Sequence, residues 1–424
     1  MNMETRLIYK TKSVCPVCLR EIYADIAARP DGIYMDKRCP EHGEFSTLVW
    51  ADTAGGYLRW LSAGGIDTAA LPQTEEEVER ALAGASFADA AASLPATAAL
   101  MTTSRCNMGC PVCFTRDTHE ALHQPGLAEC ERLLRHYREA AGEDAAVEFC
   151  GGEPTVRGDI MELARLARDL GFGFIQLNTN GIKLAESAEF CRELRENGVT
   201  TAYLGFDAMH EQPYYAKYGR PMLSVKKRAV ENAAAAGLAV VLVCCVIPGE
   251  NDGDLGAIVE YAKAHMPAVK GVYFQPISYF GVYPPDKIRR ITIPDVIRRV
   301  AAQCPDVSEQ DFGPGAYDHA QCSFNAAYVM DKNGALRPLT RFAPRQAEAD
   351  AVHRVRKNLA LSWTPSGRRT LTIGGMAFQD AWNIDLLRVR RCSIQIIQKD
   401  GRLIPLCSKY LSSVGGEKLF PGIG

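Results

Sequence analysis

The chain has 424 residues, of which 47% are hydrophobic and 23% are charged, and its formal net charge is −2 at pH 7. This length predicts a large hydrophobic core together with one or two smaller modules. The near-neutral charge provides no net basic field, so we expect no nucleic-acid partner. The longest apolar run, residues 238–248, is too short to cross a bilayer. We therefore expect a cytoplasmic protein without a transmembrane segment.

The chain contains 15 cysteines, an odd number, and several of them fall into short CxxC and CxxxCxxC groups. In a protein that is not secreted, this spacing indicates thiolate–metal sites rather than disulfides.

Residues 1–62 are predicted to form a small metal-binding ribbon. A CxxC group at 15–18 and a CxxH group at 39–42 are separated by the length of a β-hairpin. Four nitrogen and sulfur ligands at this spacing suit a tetrahedral Zn²⁺ or a rubredoxin-like iron, and no position is left open for chemistry. The alternative is that the cysteines are free thiols and the histidine is a loop residue. The four predicted ligands are Cys15, Cys18, Cys39 and His42.

Residues 63–98 are rich in alanine and are interpreted as a linker, with a helix predicted from the acidic run 75–77. Between 99 and 293, strand-like and helix-like segments alternate, which predicts a parallel sheet with active-site loops at the carboxyl ends of its strands. Residues 294–424 are less periodic and are predicted to form a cap. The predicted strands are 145–149, 173–178, 202–206, 239–246 and 271–275, and a predicted amphipathic helix covers 159–170.

Three thiols, Cys106, Cys110 and Cys113, lie on one tight loop directly after a short apolar strand. Three thiolates can bind three irons of a 4Fe-4S cluster and leave the fourth iron open to a chelating cofactor. A closed zinc site is the alternative, but no fourth cysteine lies adjacent.

This CxxxCxxC group with its following aromatic residue resembles the signature of the radical S-adenosylmethionine (SAM) superfamily. Three further segments, CGGEP at 150–154, NTNG at 178–181 and VIPG at 246–249, follow in the order that the superfamily shows. Glycines in the first of them would let the backbone approach the ligand. The resemblance implies SAM contacts at Phe114, Gly151, Gly152, Glu153, Asn178, Asn180, Val246 and Ile247.

The resemblance also implies the fold and the chemistry. The expected fold is α/β: a partial (β/α)6 TIM-like barrel of the radical SAM type, with the small N-terminal metal-binding ribbon and a C-terminal cysteine-containing cap. The expected reaction begins with an electron from a flavodoxin- or ferredoxin-type reductant, which cleaves SAM to a 5′-deoxyadenosyl radical. That radical then abstracts hydrogen from an unactivated carbon of a small-molecule or lipid substrate.

Cys322, Cys392 and Cys407 lie in turn-like surroundings and together could bind an auxiliary Fe-S cluster, with Cys304, His319 or a substrate atom as fourth ligand. The alternative is that they are buried, unreactive thiols. Asp207, after a predicted strand, is expected either to face the pocket or to cap a helix.

The ribbon ahead of the radical core and the segments 274–278, 291–296, 322–334 and 376–380 resemble the tetraether lipid synthase group, which also includes methylases of a hydroxymethyl-dihydropterin. The function favoured from the sequence is carbon–carbon bond formation or modification on a lipid-like substrate, with peripheral membrane contact. The first alternative is methyl or one-carbon transfer to a pterin-like or other small heterocycle. The second is a non-enzymatic metal-binding interaction protein.

Overall fold

A computed structural model describes residues 5–89, 91–116, 122–283, 288–315, 318–339 and 351–420. The N-terminal residues form a four-stranded antiparallel sheet in chain order. Alternate strands of such a sheet run in the same direction, so the turn after the first strand and the turn after the third lie at the same end. These turns carry the two predicted pairs of metal ligands. The strands are β1 (Arg6–Val14), β2 (Glu21–Arg29), β3 (Gly32–Cys39) and β4 (Gly43–Trp50).

The alanine-rich segment interpreted as a linker is folded against its neighbours. It follows α1 (Ala54–Ala63) and contains α2 (Glu75–Leu82), which begins at a capping box between Thr74 and Glu77. Val78, Leu82 and Phe87 of the segment are buried, whereas Leu94 is exposed, and the two buried side chains of α2 pack with residues 384–411 near the C-terminus. The helix predicted after residue 75 is therefore present, and it connects distant parts of the chain.

Six parallel strands follow in consecutive order and form the barrel sheet. Central strands such as β9 are apolar throughout because both faces are covered, as is usual in parallel sheets. The α/β partial barrel predicted from the sequence is confirmed, and the predicted strands coincide with observed ones to within two residues. The strands are β5 (Thr97–Thr103), β6 (Ala146–Gly151), β7 (Phe174–Thr179), β8 (Thr201–Gly205), β9 (Ala239–Val246) and β10 (Val269–Pro276). The helices between them are α3 (Leu127–Ala141), α4 (Ile160–Asp169), α5 (Ile182–Glu186), α6 (Ala188–Glu196), α7 (Gln212–Tyr218), α8 (Leu223–Ala236) and α9 (Leu255–Ala264).

The C-terminal part is not a separate layer over this sheet, because its strands extend the sheet at both edges. One strand pairs in parallel with β10, and another pairs in parallel with β5. The sequence predicts only a cap here because Gly374 and Gly375 interrupt the apolar pattern of the first of these strands. The strands are β11 (Gly313–Pro314), β12 (Ser323–Met330), β13 (Leu336–Pro338), β14 (Thr370–Met376), β15 (Ile394–Ile397) and β16 (Leu403–Pro405). The helices are α10 (Ile293–Gln303), α11 (Ala351–Trp363), α12 (Leu386–Val389) and α13 (Leu406–Lys409).

Helix α11 covers the N-terminal end of the barrel strands. Its last residue, Trp363, packs in one cluster with Ala146, Phe174 and Val241, which lie at or near the starts of β6, β7 and β9. The Thr201 hydroxyl, at the start of β8, donates a hydrogen bond to the Trp363 carbonyl. Because this end is closed, the carboxyl ends of the strands are the place for a functional site, as in other parallel barrels.

We predict that Gly375→Ala destabilises the protein, because a Cβ at this position would lie 2.0 Å from the Phe274 carbonyl oxygen on β10. Overpacking against backbone costs about 1–3 kcal/mol. Gly367→Ala is the matched control, since nothing lies within 4 Å of its added Cβ. Thermal unfolding measures both variants, and equal melting temperatures would contradict the close pairing of β14 with β10.

Candidate functional site

The four predicted ligands of the ribbon converge on one point. The ligand atoms of Cys15, Cys18, Cys39 and His42 all lie within 4.8 Å of one another. The His42 Nδ1 atom is 3.6 Å from the Cys15 sulfur and 3.4 Å from the Cys39 sulfur. In a tetrahedral site with metal–sulfur bonds of about 2.3 Å, neighbouring ligand atoms lie about 3.5–3.8 Å apart. The geometry therefore fits a single zinc or iron ion.

One of these thiols is prepared for metal binding by its surroundings. Burial opposes ionisation of Cys39, but hydrogen bonds from the His42 side chain and from the backbone N–H groups of Glu41 and His42 lower its pKa to about 6. A thiolate, not a thiol, is the metal ligand. These hydrogen bonds therefore favour the thiolate form of Cys39.

The radical loop, residues 104–114, leaves the buried strand β5 and is anchored by backbone hydrogen bonds. The Cys113 N–H donates to the Val282 carbonyl at 2.9 Å, and the Val282 N–H donates back at 3.0 Å. Cys106 is exposed, whereas Cys110 and Cys113 are half-buried, so the thiols border the open end of the barrel. Within the described ranges, these thiols do not form a group with all sulfurs inside 4.8 Å. In an Fe-S cluster each thiolate binds its own iron, so three thiols need not lie that close together to hold one.

Gly151 and Gly152 allow the end of β6 to lie directly against the radical loop. A Cβ on Gly151 would be 2.1 Å from the Thr103 carbonyl oxygen, and one on Gly152 would be 2.3 Å from that of Arg105. The Gly152 N–H donates to the Thr103 carbonyl at 2.7 Å. These glycines therefore make room for the backbone of the radical loop. Their contact with SAM stays a prediction.

Glu153 is a buried carboxylate that joins two turns of the site. Its Oε1 atom accepts hydrogen bonds from the Thr155 N–H and hydroxyl at 3.1 and 2.6 Å, and from the Thr179 hydroxyl at 2.8 Å. Its Oε2 atom accepts from the Asn180 N–H at 2.7 Å. The side chain thus fixes the turn after β6 to the turn after β7. A contact between Glu153 and SAM stays a prediction.

The two asparagines of the NTNG segment face different surroundings. The Asn180 side chain donates to the Asn107 side chain of the radical loop at 2.8 Å. The Asn178 side chain donates to Glu148 at 3.0 Å and accepts from Gln176 at 2.7 Å, so it takes part in a polar group along β6 and β7. Asn180 therefore lies beside the radical loop, whereas Asn178 does not contact it.

The remaining predicted SAM contacts lie at the same end of the barrel. The exposed Phe114 ring meets Tyr410 edge-on, with ring centroids 5.1 Å apart. Val246 ends β9, and its carbonyl accepts from the Ile277 N–H at 3.1 Å. The Ile247 N–H donates to Asn251 at 2.7 Å. The positions suit a cofactor at the carboxyl edge, and the individual contacts stay predictions.

Asp207 neither faces an open pocket nor caps a helix. It is buried, pairs with the Lys217 ammonium at 2.7 Å, and accepts hydrogen bonds from the Tyr218 hydroxyl and from a backbone N–H of β9. The Lys217 carbonyl in turn accepts from the Val112 N–H of the radical loop at 3.4 Å. Asp207 therefore helps to hold the radical loop in place through Lys217.

Sequence reasoning missed a buried lysine, Lys226, next to the site. The Lys226 ammonium donates to the Asn180 carbonyl at 2.6 Å, and burial lowers its pKa to about 8. Lysines in an amphipathic helix usually face solvent. Nothing in the local pattern of α8 marks Lys226 as an exception.

Cys322, Cys392 and Cys407 line one cavity, although they are far apart in sequence. About 20 Å³ of this cavity is accessible to the centre of a water molecule. The Arg388 guanidinium lies 3.5 Å from the Cys322 sulfur, and the Gln379 N–H lies 3.2 Å from the Cys407 sulfur. Burial raises the pKa of all three thiols. Hydrogen-bond donors around convergent thiols are typical surroundings of an Fe-S cluster.

The structure also narrows the choice of a fourth ligand for a cluster bound by Cys322, Cys392 and Cys407. Cys304 ends α10 in the hydrophobic core, with its sulfur 4.0 Å from the Gly256 carbonyl, and does not line the cavity. His319 is buried nearby, and its Nδ1 atom accepts from the Gln321 N–H at 3.3 Å. Asp318 does line the cavity. The expectation that Cys304 could complete the site is therefore wrong, because helix packing holds it elsewhere.

We predict that Cys39→Ala removes one zinc or mononuclear iron ion per chain and lowers the melting temperature. A structural metal contributes directly to the stability of a module as small as the ribbon. Cys130→Ala is the control, since Cys130 is a buried thiol of α3. Metal analysis with optical spectroscopy measures the loss, and an unchanged metal content in Cys39→Ala would contradict the site.

We predict that Glu153→Gln destabilises the protein by about 2–3 kcal/mol, because the amide NH₂ replaces an acceptor that buried donors require. The control is Glu162→Gln on the exposed surface of α4. Unfolding and SAM-binding titrations measure both variants. Weakened SAM binding is expected as the two turns separate, and behaviour like that of the control would refute the joining role of Glu153.

Comparisons with known proteins match the regions that carry these sites. A model of the radical SAM superfamily matches residues 100–262, and a model of the HMPTM N-terminal zinc ribbon domain matches residues 7–51. A 7,8-dihydro-6-hydroxymethylpterin dimethyltransferase of Methanocaldococcus jannaschii is 30% identical over 474 aligned residues, covering 94% of this chain and 92% of that protein. A probable GTP 3′,8-cyclase of Methanopyrus kandleri is 30% identical over 43% of this chain and 56% of its own length.

Among solved structures, Streptococcus suis SuiB bound to the precursor peptide SuiA has a TM-score of 0.40 and 16% identity, covering 50% of this chain and 45% of that one. In the part of the chain that the structure describes, no helix combines the length and apolar character that crossing a membrane requires.

The superfamily implies a 4Fe-4S cluster and SAM, and the thiols and turns described above fit both. The chain is a radical SAM enzyme with an N-terminal metal ribbon, and it belongs to the family of the Methanocaldococcus dimethyltransferase.

Proposed function

We propose that this enzyme forms a carbon–carbon bond by transferring a methyl or other one-carbon group to a small, pterin-like heterocycle. The supporting observation is its similarity to the archaeal dihydropterin dimethyltransferase, which extends over 94% of this chain and includes the ribbon, barrel and C-terminal parts. Similarity over the radical core alone would support only the shared cleavage of SAM.

The inner face of the barrel supports a compact polar substrate. On β6 and β7, Val147, Phe149, Ile175 and Leu177 belong to the core, so the residues that alternate with them point to the opposite face. That face carries hydrogen-bonding side chains, and Gln275 donates to the Tyr203 hydroxyl at 3.3 Å. Carboxyl, amide and phenol groups suit the polar edges of a heterocycle. These inner-face residues are Glu148, Gln176, Asn178, Tyr203, Tyr273 and Gln275.

Each part of the chain has a proposed role. The cluster, when bound, supplies the electron that converts SAM to the 5′-deoxyadenosyl radical. Cys106, Cys110 and Cys113 hold that cluster, the turns around Glu153 and Asn180 hold SAM, and closure of the N-terminal barrel end by α11 helps to exclude water. We also propose domains at 1–62, 99–293 and 294–424, with the connecting segment 63–98.

We further propose that Cys322, Cys392 and Cys407 bind an auxiliary Fe-S cluster. Their position on one cavity, with donors directed at two of the sulfurs, supports this assignment. Such a cluster would take up or return an electron during the reaction.

The second candidate function is carbon–carbon bond formation on a lipid-like chain. The resemblance of the ribbon and core arrangement to the tetraether lipid synthase group supports this candidate. The two candidates differ in the molecule that loses hydrogen to the adenosyl radical.

We predict that anaerobically reconstituted enzyme with dithionite produces 5′-deoxyadenosine, and that the variant Cys106→Ala/Cys110→Ala/Cys113→Ala produces none. This variant should keep the iron of an auxiliary cluster. Cys130→Ala serves as the matched control. Failure of the wild type to form 5′-deoxyadenosine would contradict the radical reaction, and loss of all cluster iron from the triple variant would contradict the auxiliary cluster.

The substrate class is tested with deuterated compounds in the same assay. Deuterium in 5′-deoxyadenosine after incubation with deuterated 6-hydroxymethyl-7,8-dihydropterin supports the heterocycle proposal. Deuterium transfer from a deuterated lipid instead supports the second candidate, and transfer from neither contradicts both.

A further inference from the structure

A second cavity lies where the ribbon, the barrel and the C-terminal part meet. Its walls come from the end of β4, the end of β10, the start of α10 and the segment 377–388. About 30 Å³ of it is accessible to the centre of a water molecule. A single water needs about 10–15 Å³ by this measure, so the space holds a small polyatomic ion or two waters.

Three buried N–H groups on residues that line this cavity have no hydrogen-bond partner within the described ranges: Trp50 Nε1, Arg290 Nε and Arg388 Nε. Trp50 is 2% exposed and Arg388 is 5% exposed. A buried donor without an acceptor costs about 1–3 kcal/mol. Each of three residues that line one cavity thus carries a donor that an acceptor bound in the cavity would satisfy.

The other donors of the two guanidinium groups are used differently. Arg290 forms a bidentate ion pair with Asp380, with both N–O distances at 2.7 Å, so its charge is balanced. Arg388 donates to the Gln321 carbonyl at 3.1 Å and to the Cys322 sulfur at 3.5 Å. Among the described residues, no carboxylate forms an ion pair with Arg388. Asp385 acts on Arg388 electrostatically without a direct ion pair to its guanidinium, so the cavity borders a buried positive charge that no carboxylate contacts directly.

We propose that this cavity binds an oxyanion of the phosphate or sulfate type. Buried N–H donors on the lining residues, together with a guanidinium that no carboxylate contacts directly, are the groups that recognise such an ion. The oxyanion is either a free inorganic ion or part of a larger organic phosphate, and both carry the same chemistry. Arg388 also lines the cysteine cavity, so the bound ion would share this arginine with Cys322. The proposal does not depend on the radical reaction.

Isothermal titration of the full-length protein with inorganic phosphate, at constant ionic strength and without SAM or reductant, tests the proposal. We expect saturable binding of one phosphate per chain. Trp50→Phe removes one donor and keeps an aromatic ring, and it should weaken binding about tenfold. Trp363→Phe is the matched control, because its buried Nε1 also lacks a partner but lies outside the cavity. It should leave the affinity unchanged, and melting curves verify that both variants fold.

Sulfate and glycerol 3-phosphate separate the sources of the oxyanion. Binding of glycerol 3-phosphate at least as tight as that of phosphate supports an ion carried by an organic molecule, whereas binding of only the inorganic ions supports a free ion. Absence of saturable binding by all three probes overturns the proposal and assigns the donors to ordered water. Equal affinity in Trp50→Phe and wild type also overturns it, since binding would then reflect an adventitious ion only.

Discussion

The carboxylate of Glu153 sets the geometry on which the candidate radical site depends. It accepts hydrogen bonds from the turn after β6 and from the turn after β7, and it does so without exposure to water. Gly151 and Gly152 then allow the first turn to lie against the radical loop, and Asn180 of the second turn donates to the same loop. Three loops from three neighbouring strands are thereby held in one fixed arrangement. Preorganisation of this kind is what binding of a cofactor with several polar groups requires.

The same barrel divides its side chains into two classes with separate roles. Residues facing the helices are apolar and supply the packing. Those facing inward on β6, β7, β8 and β10 include hydrogen-bonding groups, whereas Ala146 and Phe174 pack against Trp363 at the closed end. Burial raises the pKa of Glu148, and Thr97 and Asn178 donate hydrogen bonds to its carboxyl group. A polar interior of this type is costly for stability, and such groups are retained where they bind or react. The inner face is thus the natural location for a substrate.

Prediction from the sequence succeeded where the signal was local. The predicted bounds of the strand at 239–246 match the observed ones. Eight consecutive apolar residues are typical of a strand buried on both faces. The ribbon ligands were predicted because their spacing is fixed by two tight turns. The strand β14 was missed because its glycines, which close approach to β10 and β12 requires, carry no apolar pattern. Neither the unpartnered donors of Trp50 and Arg388 nor the buried position of Lys226 has a local signature, since each depends on segments distant in sequence.

The pairing of β14 and β15 with opposite edges of the barrel has a consequence for synthesis of the chain. Strands β5 and β10 each leave the ribosome with one edge that stays unpaired until residues 370–397 have also emerged. Unpaired parallel edges of this kind can join other chains, which makes the partly synthesised protein prone to aggregation. The thiols on the loop after β5 emerge early in synthesis, whereas the sheet that positions them is completed late. Delivery of iron and sulfide to a complete barrel therefore has to follow synthesis of nearly the whole chain.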